Sequence, residues 1–569
     1  MELNPIIARL LSARGILPDA YEEFFDPSLR RLAQPTDIPG VNEAVETILA
    51  HVKAKREIVV FGDYDADGVC ASAILVTTLR RLGATVDAVI PRRFTEGYGM
   101  TASSISRLLE EHPQVALVIT VDNGISSPAE VAELRGKGIA VVVTDHHLPG
   151  EMLPSADALV NPKVASTRGC DDLCGAGVAF FLASALVARA TAEGIYSGEK
   201  FGGPLLILAG LATVADLMPL TCQNRILASQ ALSNFRRFAP IGLRELLDHA
   251  ARRPVETITA RDFAFLLAPR INAAGRVDDA IKAYELIMAP DRETARNQAV
   301  FVDSYNTARK GEETRMHDEA KKQIPNPVPA AVVVADPNVD ARAKWNSGVA
   351  GIVAARIMEE VRVPVAVVTG DHGSARAPDG YNVRDALAAA EDTLERYGGH
   401  AAAGGFTVRS GQLDAFREKF TAACAAQLAS NSAVISAGLD PEPDAWLAPQ
   451  DITMDFYDQL KKLEPFGEGN PEPIFGISDV VFSDIRTLGQ DGRHASFSFS
   501  NRAIPRAVWW NAGERVDDLR AHSAGRFDVL FTLTLSAYAE NEHIELRLVD
   551  ARPHRFSSLQ TNEKKGDTP

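Results

Sequence analysis

The chain has 569 residues, 46% hydrophobic and 24% charged, which excludes a collagenous, fibrous or disordered protein and is too long for one core. Its formal net charge of −16 weighs, taken alone, against a nucleic-acid partner, although local clusters of Arg and Lys matter more than the sum. The richest apolar stretch, 205–220, is interrupted by Asp216, and the first 25 residues carry early acids and no long apolar core, so neither a membrane span nor a signal peptide is expected and the expected compartment is the cytoplasm.

Residues 1–40 read as an N-terminal helical segment. From 57 to 145, EIVVF and TVDAVI read as buried strands with the helical CASAILVTTLRRL between them. VALVITV and IAVVVT repeat the scheme around SPAEVAELRGKG. Continuous apolar strands separated by amphipathic helices predict βαβ units, a parallel sheet, and ligands at the carboxyl ends of its strands. Residues 177–325 read as almost wholly helical, and 291–324 as one long helix bridging two lobes. Within this region, 236–276 holds eight Arg (236, 237, 244, 252, 253, 261, 270, 276) against four acids (Glu245, Asp248, Glu256, Asp262). It is either a basic surface or a set of solvated helix faces.

A second α/β pattern follows. AAVVVA and PVAVVTG read as strands, and SGVAGIVAARIMEEV, VRDALAAAEDTLERY and 411–428 as helices. Residues 429–446 read as a linker. From about 440 onward, short strands with turn signals predict a small β-barrel. The tail is expected to be disordered. The expected division is 1–40, a first α/β lobe at 41–220, a helical region with the long helix at 221–325, a second α/β lobe at 326–430, the barrel at 431–558 and the tail at 559–569. Five scattered cysteines argue against a disulfide framework, and Cys170 and Cys174 lack a second Cys/His pair for zinc.

The strand ends carry the chemistry. The first ends in FGDYDADG, crowding Asp63, Asp65 and Asp67 into one turn, where like charges repel unless cations neutralise them. The third ends in TVDNG with Asp122. The fourth ends in TDHH, with Asp145, His146 and His147. Asp216 follows in ATVADLMPL. Any one of these acids alone would read as a cap or a turn residue. Together they suit two divalent ions, Mn²⁺ or Mg²⁺, in metal-assisted phosphoester hydrolysis.

FGDYDADG, TVDNG, TDHH and TVADLMPL resemble, in order and spacing, the four motifs of the DHH phosphoesterase superfamily. Further segments are similar to its RecJ family: IPRRFTEGYG, LCGAGVAFF, APRINAAGR, NTARKGEE, WNSGVAGIVAARI, GSARAPDG, YGGHAAAGGF and LEPFGEGNPEPIF. The resemblance spans roughly residues 8–550. It implies a DHH domain, a DHHA1 substrate-binding domain and an OB-type domain. It also implies a single-stranded-DNA-specific 5′→3′ exonuclease, acting in recombination and repair and releasing 5′ mononucleotides. By the same resemblance Asp65 and Asp122 would hold one metal, and Asp67, Asp122, His146 and Asp216 the other. His147 would stand by the scissile phosphate, and Asp145 would orient the His pair. Phosphatase members of the superfamily carry a metal-binding His where this chain has Phe61. Asp63 is either its substitute or a turn-stabilising acid.

Arg93, Arg276, Ser374 and Arg376 match family positions that hold DNA near its 5′ end, with Gly399 and His400 as a cradle for a neighbouring phosphate. Trp345-Asn346 stands where relatives usually have Trp-His, and GSAR where GSGR is common. Trp509, Trp510, Phe497 and Phe499 are either stacking platforms, with Arg493, Arg502 and Arg506 nearby, or barrel core. Single-strand-binding protein and a helicase are the expected partners, and a monomer the expected state. Two alternatives remain at this point: a small-molecule phosphodiesterase, whose relatives are shorter and lack the barrel, and a non-cutting scaffold relative, which should have lost ligands.

Overall fold

The computed structural model describes residues 3–554 apart from 94, 98, 168, 252–254, 256, 338–344, 438–440, 490–491, 523–524 and 539–540. The chain forms two compact units, one of residues 27–439 with 467–469 and one of residues 1–26, 440–466 and 470–569.

In the larger unit, five strands form a wholly parallel sheet: β1 (Glu57–Phe61), β2 (Val86–Val89), β3 (Val115–Val121), β4 (Ala140–Thr144) and β5 (Ala158–Val160), in the order β2-β1-β3-β4-β5. Val59, Val60, Phe61, Val118, Ile119 and Val142 are fully buried, as both-face coverage by helices requires. The carboxyl ends of all five strands lie along one edge. That edge therefore receives the turn with Asp63, Asp65 and Asp67, then Asp122, and then the Asp145-His146-His147 run.

Among the described residues, 175–321 are mostly helical. One helix, Gly175–Ala192, is long and apolar enough to cross a membrane, and 61% of it is buried inside the protein. The expected richest stretch lies instead in the shorter apolar helix Gly202–Ala215, which ends at Asp216. A single turn of π-helix, Phe263–Leu267, precedes the helix Ala268–Val277 that carries Arg276. The long helix is present as Arg292–Lys321, capped at its start by Asp291, whose carboxylate accepts from Thr294 N.

The second sheet is mixed, with order β6-β7-β8-β10-β9: β6 (Val332–Ala335), β7 (Val365–Thr369), β8 (His372–Arg376), β9 (Leu394–Gly399) and β10 (Ala403–Val408). Here the structure corrects the sequence. VRDALAAAEDTLERY is α-helical only over Val383–Ala388, and from Leu394 it becomes β9, paired antiparallel with β10. The segment at 429–446 is not all linker, because the helix Leu413–Ala437 runs into it with a break in helical geometry at Asn431. Trp345 is buried against the long helix, its indole N–H donating to Glu319 at 2.6 Å. Asn346 caps the helix Ser347–Val361, accepting from Gly348 N at 2.8 Å and donating to the Arg276 carbonyl at 3.2 Å. Asn is a preferred N-cap, which accounts for its presence after Trp345.

The smaller unit holds a seven-stranded sheet, β11 (Ala445–Trp446), β12 (Phe475–Val480), β13 (Phe482–Leu488), β14 (His494–Phe499), β15 (Ala507–Trp509), β16 (Phe527–Tyr538) and β17 (Asn541–Pro553), ordered β11-β12-β16-β17-β15-β14-β13. Its core of Phe475, Phe497, Phe527 and Phe531 also takes Ile6, Ile7, Leu10 and Leu11 from the helix Pro5–Ala13. Their i, i+1, i+4, i+5 spacing puts all four on one face of that helix.

Candidate metal and phosphoester site

Asp65 caps the helix Ala66–Arg81, one oxygen accepting from Asp67 N at 3.0 Å and Gly68 N at 3.1 Å. The turn is pinned from outside by Asn272, which accepts from Ala66 N at 2.7 Å. Gly68 is required here: a Cβ would lie 2.5 Å from Asp63 N. Asp67 points inward, its two oxygens accepting from Gly175 N at 2.6 Å and Ala176 N at 2.7 Å at the start of the helix Gly175–Ala192. A helix N-terminus is a natural anion holder.

Asp122 adopts left-handed geometry, φ 62°, which is sparsely populated by side chains other than Asn and Asp. Asn123 pins the turn by donating to the Val121 carbonyl, and Thr120 Oγ1 donates to the Asn123 carbonyl at 2.8 Å. Gly175 again leaves room, since a Cβ there would sit 2.5 Å from Asp122 Cβ.

These constraints bring the predicted residues together. Atoms of Asp63, Asp65 and Asp122 lie within 4.8 Å of one another, as do those of Asp67, His146 and Asp216, and those of Asp122, His146 and His147. His146 Nε2 is 3.1 Å from Asp122 Oδ1, 3.6 Å from Asp216 Oδ2 and 3.7 Å from Asp67 Oδ2. Asp122 Oδ1 is buried without a hydrogen-bond partner. Lone pairs converging on common points without hydrogens between them are the signature of cation ligands, and hard oxygens with one imidazole suit Mn²⁺ or Mg²⁺.

The electrostatics agree. Burial, then the charge of Asp65, holds Asp63 well above the usual carboxylate range. Burial, then Asp67 and Asp65, does the same to Asp122 and pushes Asp216 up to about 8. Metal-free, the cluster cannot carry all its negative charges, whereas cations would allow it. His146 is pushed down by burial, which favours the neutral ring that a metal ligand must be. For His147 burial acts downward, but the hydrogen bond and charge of Asp145 carry it up to about 9.

Asp145 meets only one ring of the His pair. Its Oδ1 accepts from His147 Nδ1 at 2.7 Å and from the backbone N–H of both histidines, and its Oδ2 accepts from Ile125 N at 3.0 Å. This orients the His147 ring through Nδ1, on a side chain 43% exposed. The imidazole of His146 is placed without it. Phe61 is fully buried in the core beneath the sheet, so the usual His position faces away from solvent and Asp63 stands at the acid cluster instead.

The predicted DNA contacts sort unevenly. Arg93 stacks on Tyr64 at 4.9 Å, and both line a cavity of about 620 Å³ with Ser374, Arg396, Gly398 and Gly405. Arg276 is half-buried, donating to the Gly348 carbonyl at 2.8 Å. Burial, then Arg93, brings it down to about 10. Arg376 lies over Gly351 on the same strand as Ser374. Gly399 and His400 form the tip of the β9–β10 hairpin and do not line the cavity; His400 N donates to the Ala403 carbonyl. Sequence reasoning missed Tyr64, Asn272 and the Gly175-Ala176 amides. Only the quoted motifs APRINAAGR and LCGAGVAFF hinted at the last two.

Among the described arginines of the basic island only Arg270 is buried, and Arg237 and Arg261 are exposed. Arg236 bonds the Val255 carbonyl and Asp248, Arg270 is buried on Asp303, and Arg261 stacks on Phe265. Arg252, Arg253 and Glu256 lie outside the described residues, as does the tail at 559–569. In the smaller unit Phe497, Phe499 and Trp509 are core, which rules them out as platforms. Trp510 is 55% exposed against His494.

Residues 57–201 match the DHH family, N-terminal domain, residues 326–426 the DHHA1 domain and residues 443–550 the RecJ OB domain. The single-stranded-DNA-specific exonuclease RecJ of Haemophilus influenzae is 35% identical, the match covering 86% of each chain. That of Escherichia coli is 34% identical over 83% of each. The chain belongs to the RecJ family. Among solved members, Thermus thermophilus RecJ in complex with Mn²⁺ superposes with a TM-score of 0.80 at 31% identity, covering 97% of this chain and 76% of that one. The Mg²⁺ complex gives 0.74 at 30%.

Proposed function

We infer that this RecJ-family chain is a single-stranded-DNA-specific 5′→3′ exonuclease, a metal-dependent phosphodiester hydrolase acting in DNA recombination and repair. The observation that carries the reading is the convergence of Asp63, Asp65, Asp67, Asp122, His146, His147 and Asp216 on one sheet edge, with Asp122 common to two of the groups. Asp63, Asp65 and Asp122 would hold one divalent cation, Mn²⁺ or Mg²⁺, and Asp67, Asp122, His146 and Asp216 the second. When bound, the pair supplies water activation and neutralisation of charge at the phosphorus and leaving oxygen.

The chain's own residues do the rest. The Gly175 and Ala176 amides hold Asp67 rigid in its ligand pose. Asp145 holds the His147 ring so that Nε2 faces the scissile phosphate and donates to a non-bridging oxygen. Arg93, Arg276, Ser374 and Arg376 would receive the 5′-terminal phosphate, in and beside the cavity that Arg93 and Ser374 line. Trp510 in the smaller unit would stack an unpaired base. By family resemblance the enzyme would act as a cytoplasmic monomer, with a helicase supplying the strand and single-strand-binding protein presenting it.

The test is a time course on 5′-phosphorylated single-stranded oligonucleotide, labelled at either end, with Mn²⁺, Mg²⁺ or EDTA. Metal-dependent mononucleotide release from the 5′ label, sparing duplex, is the expected result. Retained binding without cleavage in any metal would overturn it.

A further inference from the structure

Strand order turns the carboxyl edge of the parallel sheet into a line of charges. From one side it reads Arg93 after β2, the three aspartates after β1, Asp122 after β3, the histidines after β4, and Asn161-Pro162-Lys163 after β5. The acid cluster thus has a cation at each end. Arg93 acts electrostatically on Asp63, and Lys163 on His146 and Asp216.

Lys163 is held there by a clamp. Asn161 is fully buried; its Nδ2 donates to the His147 carbonyl at 3.0 Å, and its Oδ1 accepts from Lys163 N at 2.7 Å. One amide side chain therefore ties the backbone of Lys163 to that of His147. Lys163 itself is partly buried, and among the described residues its ammonium has no hydrogen bond or ion pair. A lysine clamped beside a carboxylate cluster, yet paired with none of it, is placed for an anion from outside the protein. Neighbouring strands lie ~4.8 Å apart, so β5 ends ~10 Å from Asp122 at the end of β3, within reach of a lysine side chain extended toward the site.

We propose that Lys163 binds the phosphate one nucleotide downstream, on the 3′ side, of the bond being cut. The proposal rests on the exonuclease reading above. With the 5′ phosphate at the Arg93 end and the scissile phosphate over the acids, the strand leaves toward β5, and the next phosphate meets Lys163. Each bound strand then has a cationic contact on both sides of the cut. Lys163 adds hold on the product strand that must advance by one nucleotide.

The test compares a 5′-phosphorylated dinucleotide, which has no downstream phosphate, with a 5′-phosphorylated hexanucleotide, using the full chain with Mn²⁺. Lys163→Gln should raise KM for the hexanucleotide ~10-fold and lower the salt dependence of its binding by about one counterion, while leaving the dinucleotide unchanged. Lys163→Arg should restore the hexanucleotide. A neutral methylphosphonate at the downstream position should reproduce the loss in the unsubstituted enzyme and add nothing to Lys163→Gln. Equal effects on both substrates, or none on either, would overturn the assignment, because a lysine that merely offsets the aspartates acts irrespective of strand length. Failure of the unsubstituted enzyme to cut either substrate would instead remove the exonuclease reading, and this proposal with it.

Discussion

Asp67 and Asp122 belong to the same cluster but are held in opposite ways, so Asp67→Asn and Asp122→Asn should part company in stability. Both oxygens of Asp67 accept backbone N–H groups, from Gly175 and Ala176, in a side chain 2% exposed. An asparagine can satisfy only one of them, and its own NH₂ would face the other donor. One charge-assisted bond is worth ~1.5–3 kcal/mol, and a buried unsatisfied donor costs ~1–3 kcal/mol. Relief of repulsion within the cluster offsets part of this, leaving a net loss of about 2–4 kcal/mol. Asp122 has no such backbone donors among the described residues: its Oδ1 is buried without a hydrogen-bond partner, burial and then neighbouring acids push its carboxyl upward, and its φ of 62° is one that Asn tolerates. Asp122→Asn should therefore leave the metal-free protein as stable as before, or more so. Thermal melting in EDTA reads both. The expectation is a fall of several degrees for Asp67→Asn and none for Asp122→Asn, with cleavage lost in both. Melting of Asp67→Asn at the original temperature, or a clear fall for Asp122→Asn, would refute the account of how the ligands are held.

In EDTA, stability should decline between pH ~6.5 and ~9. Asp216, raised to about 8, and His147, raised to about 9, each stabilise the fold at lower pH and lose that contribution as pH rises through the folded value. Melting temperatures at pH 6 and 9 check this; a flat or rising profile contradicts it, and Asp216→Asn should make the slope shallower. Asp145→Asn removes the carboxylate that fixes the His147 ring and should cut kcat ~10–100-fold with little change in KM, measured on a 5′-phosphorylated oligonucleotide. Trp510→Ala should weaken single-strand binding ~10-fold without moving the melting temperature, whereas Phe497→Ala should destabilise the smaller unit by ~3–5 kcal/mol, as fluorescence titration and denaturant melts would report.

Whereas β2, expected to be buried, exposes Asp87, and the short β5 was not read as a strand, β1, β3 and β4 were legible because they are unbroken apolar runs bounded by turn residues. The ligands were legible because they sit directly after those strands. What failed was local reading of segments whose state depends on a distant partner. LERYGG has the composition of a helix end, yet it pairs with AGGFTV, Phe406 opposite Tyr397 and Gly405 opposite Gly398, a match no local propensity encodes. Alternating aromatics gave the strands of the smaller unit but not their facing. Phe497 and Trp509 are buried with Phe475 and Phe531, whereas Trp510 lies in the turn just after β15 and is exposed. The amides that hold Asp67 were hidden for another reason: backbone N–H groups leave no mark in the sequence beyond the glycine that exposes them. Likewise, the choice of one imidazole by Asp145 depends on ring geometry, which the letters DHH do not specify.

The strand-end acids and His146 would form a two-cation centre with Asp122 shared between the ions. Equilibrium Mn²⁺ binding followed by electron paramagnetic resonance tests it most directly, since two ions bridged by one carboxylate couple their spins. Two Mn²⁺ per chain with a coupled spectrum are expected, with loss of the coupled signal in Asp122→Asn. A single bound ion, or two uncoupled ions indifferent to Asp122→Asn, would contradict it.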